Sequence, residues 1–333
     1  MSMAEKQYAY AVARIRSKEL GLLTGAFIEQ LLAAKDESEC LRLLAEKGWS
    51  TGPSSQEGRE GAEGGAEDVL AAEREKTWAL MRELVEDMGV FQVLLYETDY
   101  HNLKAAVKAS VMGAKPDKLM LEGGSAPPAE IWKAVSEQKW EELPEGMREP
   151  AKRAFSALLH TRDGQLCDVI LDKAALIAIG EAAARAESGL LREYGEEKVA
   201  AADIRIAARC AKTRKPLEFI REALAPCSSL DWENLAASAA RGEGELLAYL
   251  SSTSWAGAAE ALSKSFSAFE KWCDDRLMEK IRPQKYNPFT VSPLAAYVLA
   301  RENEIRMVRM ILSGKRNSLP EDSIRERVRE MYV

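Results

Sequence analysis

Histidine is scarce in this chain, with only His101 and His160 among 333 residues. That leaves little material for metal or acid–base chemistry built on imidazole. Asp99 and His101 are the one suggestive pair, but residues two apart on a helix face away from each other, so capping and core hydrogen bonding are the expected roles. Cysteine is sparse too: Cys40, Cys167, Cys210, Cys227 and Cys273 are odd in number, far apart and form no C-x-x-C pair. With no secretory leader they read as reduced cytosolic thiols. No apolar run is long enough to span a bilayer, and the uncharged stretch 246–259 is broken by Ser251, Ser252, Thr253 and Ser254. Any work at a membrane must therefore be done from outside the lipid. A cationic excess is missing as well. The formal charge of −7 and a pI near 5.3 argue against broad nucleic-acid binding, although a local basic patch stays open.

The motifs of catalysis are also missing. Gly314-Lys315 is followed by Arg316, and no glycine stands where a phosphate loop needs one. There is no G-x-S-x-G, no H-E-x-x-H and no glycine-rich turn after a strand, so no catalytic, cofactor or metal residue is assigned. Aromatics are only 7%, while 47% of residues are hydrophobic and 30% charged. With alanine, leucine, glutamate and arginine dominant, that mixture favours helix over sheet and a globular chain with a sizeable core.

What is present is a repeat. Asn102-Leu103-Lys104 returns as Asp203-Ile204-Arg205 and again as Glu304-Ile305-Arg306, the apolar residue advancing 101 positions each time. A looser copy, Ala13-Arg14-Ile15-Arg16, keeps the apolar residue and the following cation but has Arg14 in place of the acid. Tyr100, Leu103, Val107 and Val111 recur at spacings of three and four, as do Ile204, Ala207, Ala208 and Ala211, the signature of a helix with one buried face. Long periods of this kind mean one supersecondary unit copied and packed on its neighbours.

Prolines and glycines divide the rest. Helices are expected over 5–17, 22–35 and a short stretch from Asp36 to Gly48, then over 66–88, 163–188 (capped by Asp163) and 255–281. The last three each precede a motif helix. Pro283, Pro288 and Pro293 enforce an extended connection before the final copy. Residues 49–65, rich in glycine and charge, read as a mobile linker. Trp132 and Trp272, set among apolar helix positions, read as core. The N-terminal copy has motif and tail but no leading helix, and the C-terminal copy has leader and motif but only a short tail, 320–331. The two ends complement each other. We therefore expect an all-α fold of three units, 1–97, 98–199 and 200–333, closed into a ring or funnel with the termini meeting.

The chain resembles a known family, the C subunits of prokaryotic V-type (A-type) ATPases, counterparts of the eukaryotic d subunit. The likeness rests on Tyr8-Ala9-Tyr10-Ala11-Val12-Ala13-Arg14-Ile15-Arg16, on Asp99-Tyr100-His101-Asn102-Leu103-Lys104, and on the run from Pro293 through Glu304-Ile305-Arg306-Met307-Val308-Arg309 to Gly314-Lys315. It runs almost end to end, except over 48–65, where nothing is carried across. It implies a pseudo-three-fold helical funnel joining the central stalk to the membrane rotor ring, with no active site, no cofactor and no membrane span of its own. From pattern alone, a helical-repeat adaptor of another cytoplasmic assembly is the alternative. The candidate interface or repeat-seam residues are Arg14, Arg16, Lys104, Arg205, Arg306 and Arg309. Either they point into a socket for an acidic partner, or they pair with Asn102, Asp203, Glu304 or neighbouring units and hold the repeats together.

Overall fold

The computed structural model describes residues 8–50, 65–116 and 119–333. Among these the regular elements are helical and no strand occurs. In chain order they are α1 (Ala9–Glu19), α2 (Gly25–Ala33), α3 (Glu37–Glu46), α4 (Gly65–Leu84), α5 (Gln92–Met112), α6 (Pro128–Ser136), α7 (Glu145–Thr161), α8 (Gly164–Arg185), α9 (Gly189–Thr213), α10 (Leu217–Ala223), α11 (Trp232–Arg241), α12 (Glu243–Ser251), α13 (Ala256–Lys264), α14 (Phe266–Ile281), α15 (Ser292–Arg316) and α16 (Glu321–Arg325). No described helix is long and apolar enough to cross a membrane. The expected linker falls mostly on 51–64, outside the described residues. Trp49 at its edge is not linker-like, being buried at 3% exposure.

Local chemistry sets the helix starts. Asp163 accepts from the Gln165 and Leu166 amides and opens α8 as expected, while Thr24, Asp36, Ser188 and Asp231 cap α2, α3, α9 and α11 in the same way. Ser265 is where the expectation fails. Residues 255–281 are not one helix. Ser265 adopts an extended backbone and accepts from the Ala268 amide, ending α13 and starting α14. A serine that satisfies a helix-start amide competes with helix continuation. Trp132 and Trp272 are half-buried rather than core, and it is Trp49, Trp78 and Trp255 that are buried.

The chain separates at this break into two compact units, Met88–Lys264 and a terminal unit made of Met1–Asp87 with Ser265–Val333. The expected boundaries at 97/98 and 199/200 fall inside α5 and α9. In the terminal unit both ends of the chain share one core: Leu23, Phe27, Leu31 and Leu44 pack with Ile305, Val308, Ile311 and Ile324. In the other unit, Leu103, Ala106 and Val107 of α5 pack with Ile131, Val135, Ala151, Leu158 and Leu171 of α6, α7 and α8.

Gly195 marks a close crossing of α8 and α9 in that second unit. A Cβ there would lie 2.3 Å from the Ala183 Cβ, so α8 and α9 touch through a site with no room for a methyl group. Gly195→Ala is expected to destabilise the chain by about 1–3 kcal/mol through overpacking. Chemical denaturation reads the change, and an unaltered midpoint would refute this account of the crossing.

Candidate functional site

The repeated triplets sit on α5, α9 and α15. Leu103, Ile204 and Ile305 are each fully buried, and so in effect are the polar residues before them, Asn102, Asp203 and Glu304. A buried polar group must be hydrogen-bonded, and all three solve this in the same way. Asn102 Oδ1 accepts the Leu121 amide at 2.7 Å while its Nδ2 donates to the Leu121 carbonyl at 2.8 Å. Asp203 Oδ1 accepts the Ala225 amide at 3.1 Å. Glu304 Oε1 accepts the Leu23 amide at 2.5 Å. Leu121, Ala225 and Leu23 each lie in the loop that precedes a tail helix, α6, α11 and α2 respectively. In the third copy that loop comes from the opposite end of the chain.

The cations do something else. Asn102, Asp203 and Glu304 turn inward to the loop backbone, away from the cations that follow them. Lys104 Nζ meets Asp172 of α8 at 2.6 Å, and Arg306 meets Asp274 of α14. Arg309 pairs with Glu67 of α4 at 3.0 Å and Arg14 with Glu83 at 3.3 Å. Arg16 binds Glu19 at 2.8 Å and donates to the carbonyls of Gln284 and Asn287 at 2.6 and 3.0 Å, and Arg205 is half-buried on α9. Most of these ties join a motif helix to a neighbouring helix of its own unit. Lys104→Ala is accordingly expected to cost no more than about 1 kcal/mol, the range of a solvent-accessible pair. A larger loss in urea unfolding would show that the pair carries structural weight.

Beneath Glu304 lies a charge network that pattern reading does not find. Arg301 Nη1 reaches Glu304 Oε2 at 2.5 Å and its Nη2 meets Glu73 of α4, with the Trp49 ring 4.9 Å from its guanidinium carbon. Lys76 Nζ closes on the other oxygen of Glu73 at 2.6 Å. Burial pushes the Glu304 carboxyl up to about 7 against the pull of Arg301 and the Leu23 amide. Burial likewise lifts Asp203 to about 7, and its Oδ2 has no hydrogen-bond partner. The one signal in the sequence is the Arg301–Glu304 spacing of three immediately after an apolar stretch.

Asp99 and His101 fix a loop. Asp99 accepts from Ser125 Oγ at 2.5 Å and from the Ala126 amide at 3.2 Å, and burial raises its pKa. A Cβ on Gly124 would fall 2.1 Å from Asp99 Oδ1, so only glycine lets the loop approach. His101 Nε2 lies 2.9 Å from the Leu119 carbonyl. Among the described residues no group of three or more His, Cys, Asp or Glu could hold a metal ion.

A family model for the ATP synthase (C/AC39) subunit matches residues 11–327. The chain belongs to that family. Its relatives include the C subunit of the A-type ATP synthase of Thermococcus gammatolerans, 25% identical over 97% of this chain and 90% of the relative. The C subunit of the V-type ATP synthase of Thermus thermophilus is 25% identical over 96% and 98% of the two chains. The C subunit of the V-type sodium ATPase of Enterococcus hirae is 24% identical over 79% and 81%. As a member of the C/AC39 family the chain is an accessory component and not the catalytic one. The matched region contains all three full copies of the repeat. The seam described above is thus the internal architecture of a C/AC39 protein.

Proposed function

We propose that this chain is a central-stalk subunit of a rotary V/A-type ATPase, a peripheral collar at the cytoplasmic face of the membrane that joins the central shaft to the rotor ring and couples ATP turnover to proton or sodium transport. Its partners would be the other stalk subunits and the ring. The observation that carries this reading, beside family membership, is the thrice-used buried seam. A part that transmits torque needs stiffness. Each copy locks a loop to a motif helix through a buried side chain, the third by tying the two ends of the chain together. We take the three copies of the motif as related by duplication. Superposition of α5, α9 and α15 with their tail helices should place Leu103, Ile204 and Ile305 at equivalent positions, and unrelated positions would end that claim. Arg14, Arg16, Lys104, Arg205, Arg306 and Arg309 are then seam residues, not the lining of a socket.

The functional test is reconstitution. The purified chain should hydrolyse no ATP, and complexes assembled without it should lose ATP-driven ion pumping while the detached head still turns over nucleotide. Unimpaired pumping without the chain would defeat the coupling role.

A further inference from the structure

The segment 328–332 has no regular secondary structure, yet Met331 and Tyr332 are buried. Such a segment needs its backbone satisfied by something other than a ladder. Side chains supply it: Lys271 donates to the Val328 carbonyl, Asn303 to Glu330 at 3.1 Å, Arg282 to Met331 at 2.7 Å and Lys285 to Tyr332 at 2.8 Å. Asp275 accepts the Glu330 amide at 2.8 Å. These partners come from α14, α15 and the 3-10 turn Arg282–Tyr286, so the segment lies across several elements at once.

Its end reaches α1. The Tyr332 hydroxyl donates to Glu19 Oε1 at 3.0 Å, Glu19 is held by Arg16 at 2.8 Å, and Arg16 donates to the Gln284 carbonyl at 2.6 Å. Lys285, in that same turn, donates to the Tyr332 carbonyl, with its ammonium 4.6 Å from the Tyr332 ring centre. The result is a closed polar circuit of three chain segments remote in sequence. α1 needs such help, because only Ala11, Val12 and Ile15 of its residues are buried.

We propose that residues 328–332 are a strap that fastens α1 to the terminal unit through the Tyr332–Glu19–Arg16 circuit, so that α1 is released as one piece when the strap lets go. The experiment is hydrogen exchange on the full chain. Tyr332→Phe, which removes only the hydroxyl, is expected to speed amide exchange in α1 by roughly threefold or more, and Tyr332→Ala by about tenfold or more, on the scale of a hydrogen bond to a charged group. Glu19→Gln, which keeps the size of the side chain but weakens both contacts, should loosen α1 as Tyr332→Phe does. Amides of α15 and of the unit holding α5 and α9 should keep wild-type rates. Unchanged α1 exchange in these variants overturns the proposal. So does α15 loosening as much as α1, because the segment would then be ordinary core and not a strap.

Discussion

Replacing Arg301 with methionine is expected to destabilise the chain by about 3–5 kcal/mol, the range for removing one partner of a buried ion pair. Glu73 and Glu304 are both buried and face the same guanidinium, so its loss takes a cation from both, while the Lys76 ammonium pairs with Glu73 and not with Glu304. The Trp49 ring loses its cation as well. The deficit should shrink on acidification. Glu304 already has its pKa raised by burial, and Arg301 is the strongest influence holding it down; without Arg301 the carboxyl protonates more readily in the fold, and that costs least near the ordinary carboxylate range. Unfolding curves at pH about 8 and about 5, followed by tryptophan fluorescence, test both claims. The triple variant Glu73→Gln, Arg301→Met, Glu304→Gln removes every charge of the buried trio and should recover much of the loss. A single variant within about 1 kcal/mol of wild type at both pH values would show that the network is not a coupled unit.

The parts of this architecture that can be read in the sequence are those written in short-range periodicity. The apolar spacing around Leu103 and Ile204, the caps and the breakers each act over a few residues, and the helical class follows from them. The 101-residue step is legible because one buried hydrophobe stands in each copy, and the complementary ends anticipate the core that Leu31 shares with Ile311. What escapes is long-range. Arg301 and Glu73 stand 228 residues apart, and although Glu73 falls on the buried stripe of α4 with Val69, Leu70 and Thr77, nothing local names its partner. Trp49 reads as linker because its successors are glycine-rich, yet its ring packs against a guanidinium contributed by α15. The acid of the repeat looks like a partner for the cation two places further on. Residues two apart on a helix face away from each other, so the acid turns to the core and the cation to the surface. Ser265 fits a helix by pattern and ends one by chemistry.

Asp203→Asn should make the protein more stable at alkaline pH and flatten its pH profile. Asp203 is fully buried and its carboxyl titrates near 7 in the fold, against about 3.9 in an unfolded chain. Between these values the native state holds a proton that the unfolded state has released, so stability is fully present below about 4 and falls as pH rises toward about 7, by on the order of 4 kcal/mol in total. Burial is the main cause; the Ala225 amide and Lys173 oppose it but do not cancel it. Asparagine cannot ionise, yet it keeps an oxygen for the Ala225 amide, and α5 already uses asparagine for the same task at Asn102. The variant should match wild type near pH 4 and exceed it near pH 8 by the same order of magnitude. Asp203→Ala separates the two effects, because it removes the charge and the acceptor together and leaves the Ala225 amide buried without a partner, at a cost of about 1–3 kcal/mol at acidic pH. Denaturation midpoints of the three proteins across this range decide the matter. Parallel profiles for wild type and Asp203→Asn would mean that Asp203 is ionised in the fold with its charge compensated, and would sink the claim that burial governs it.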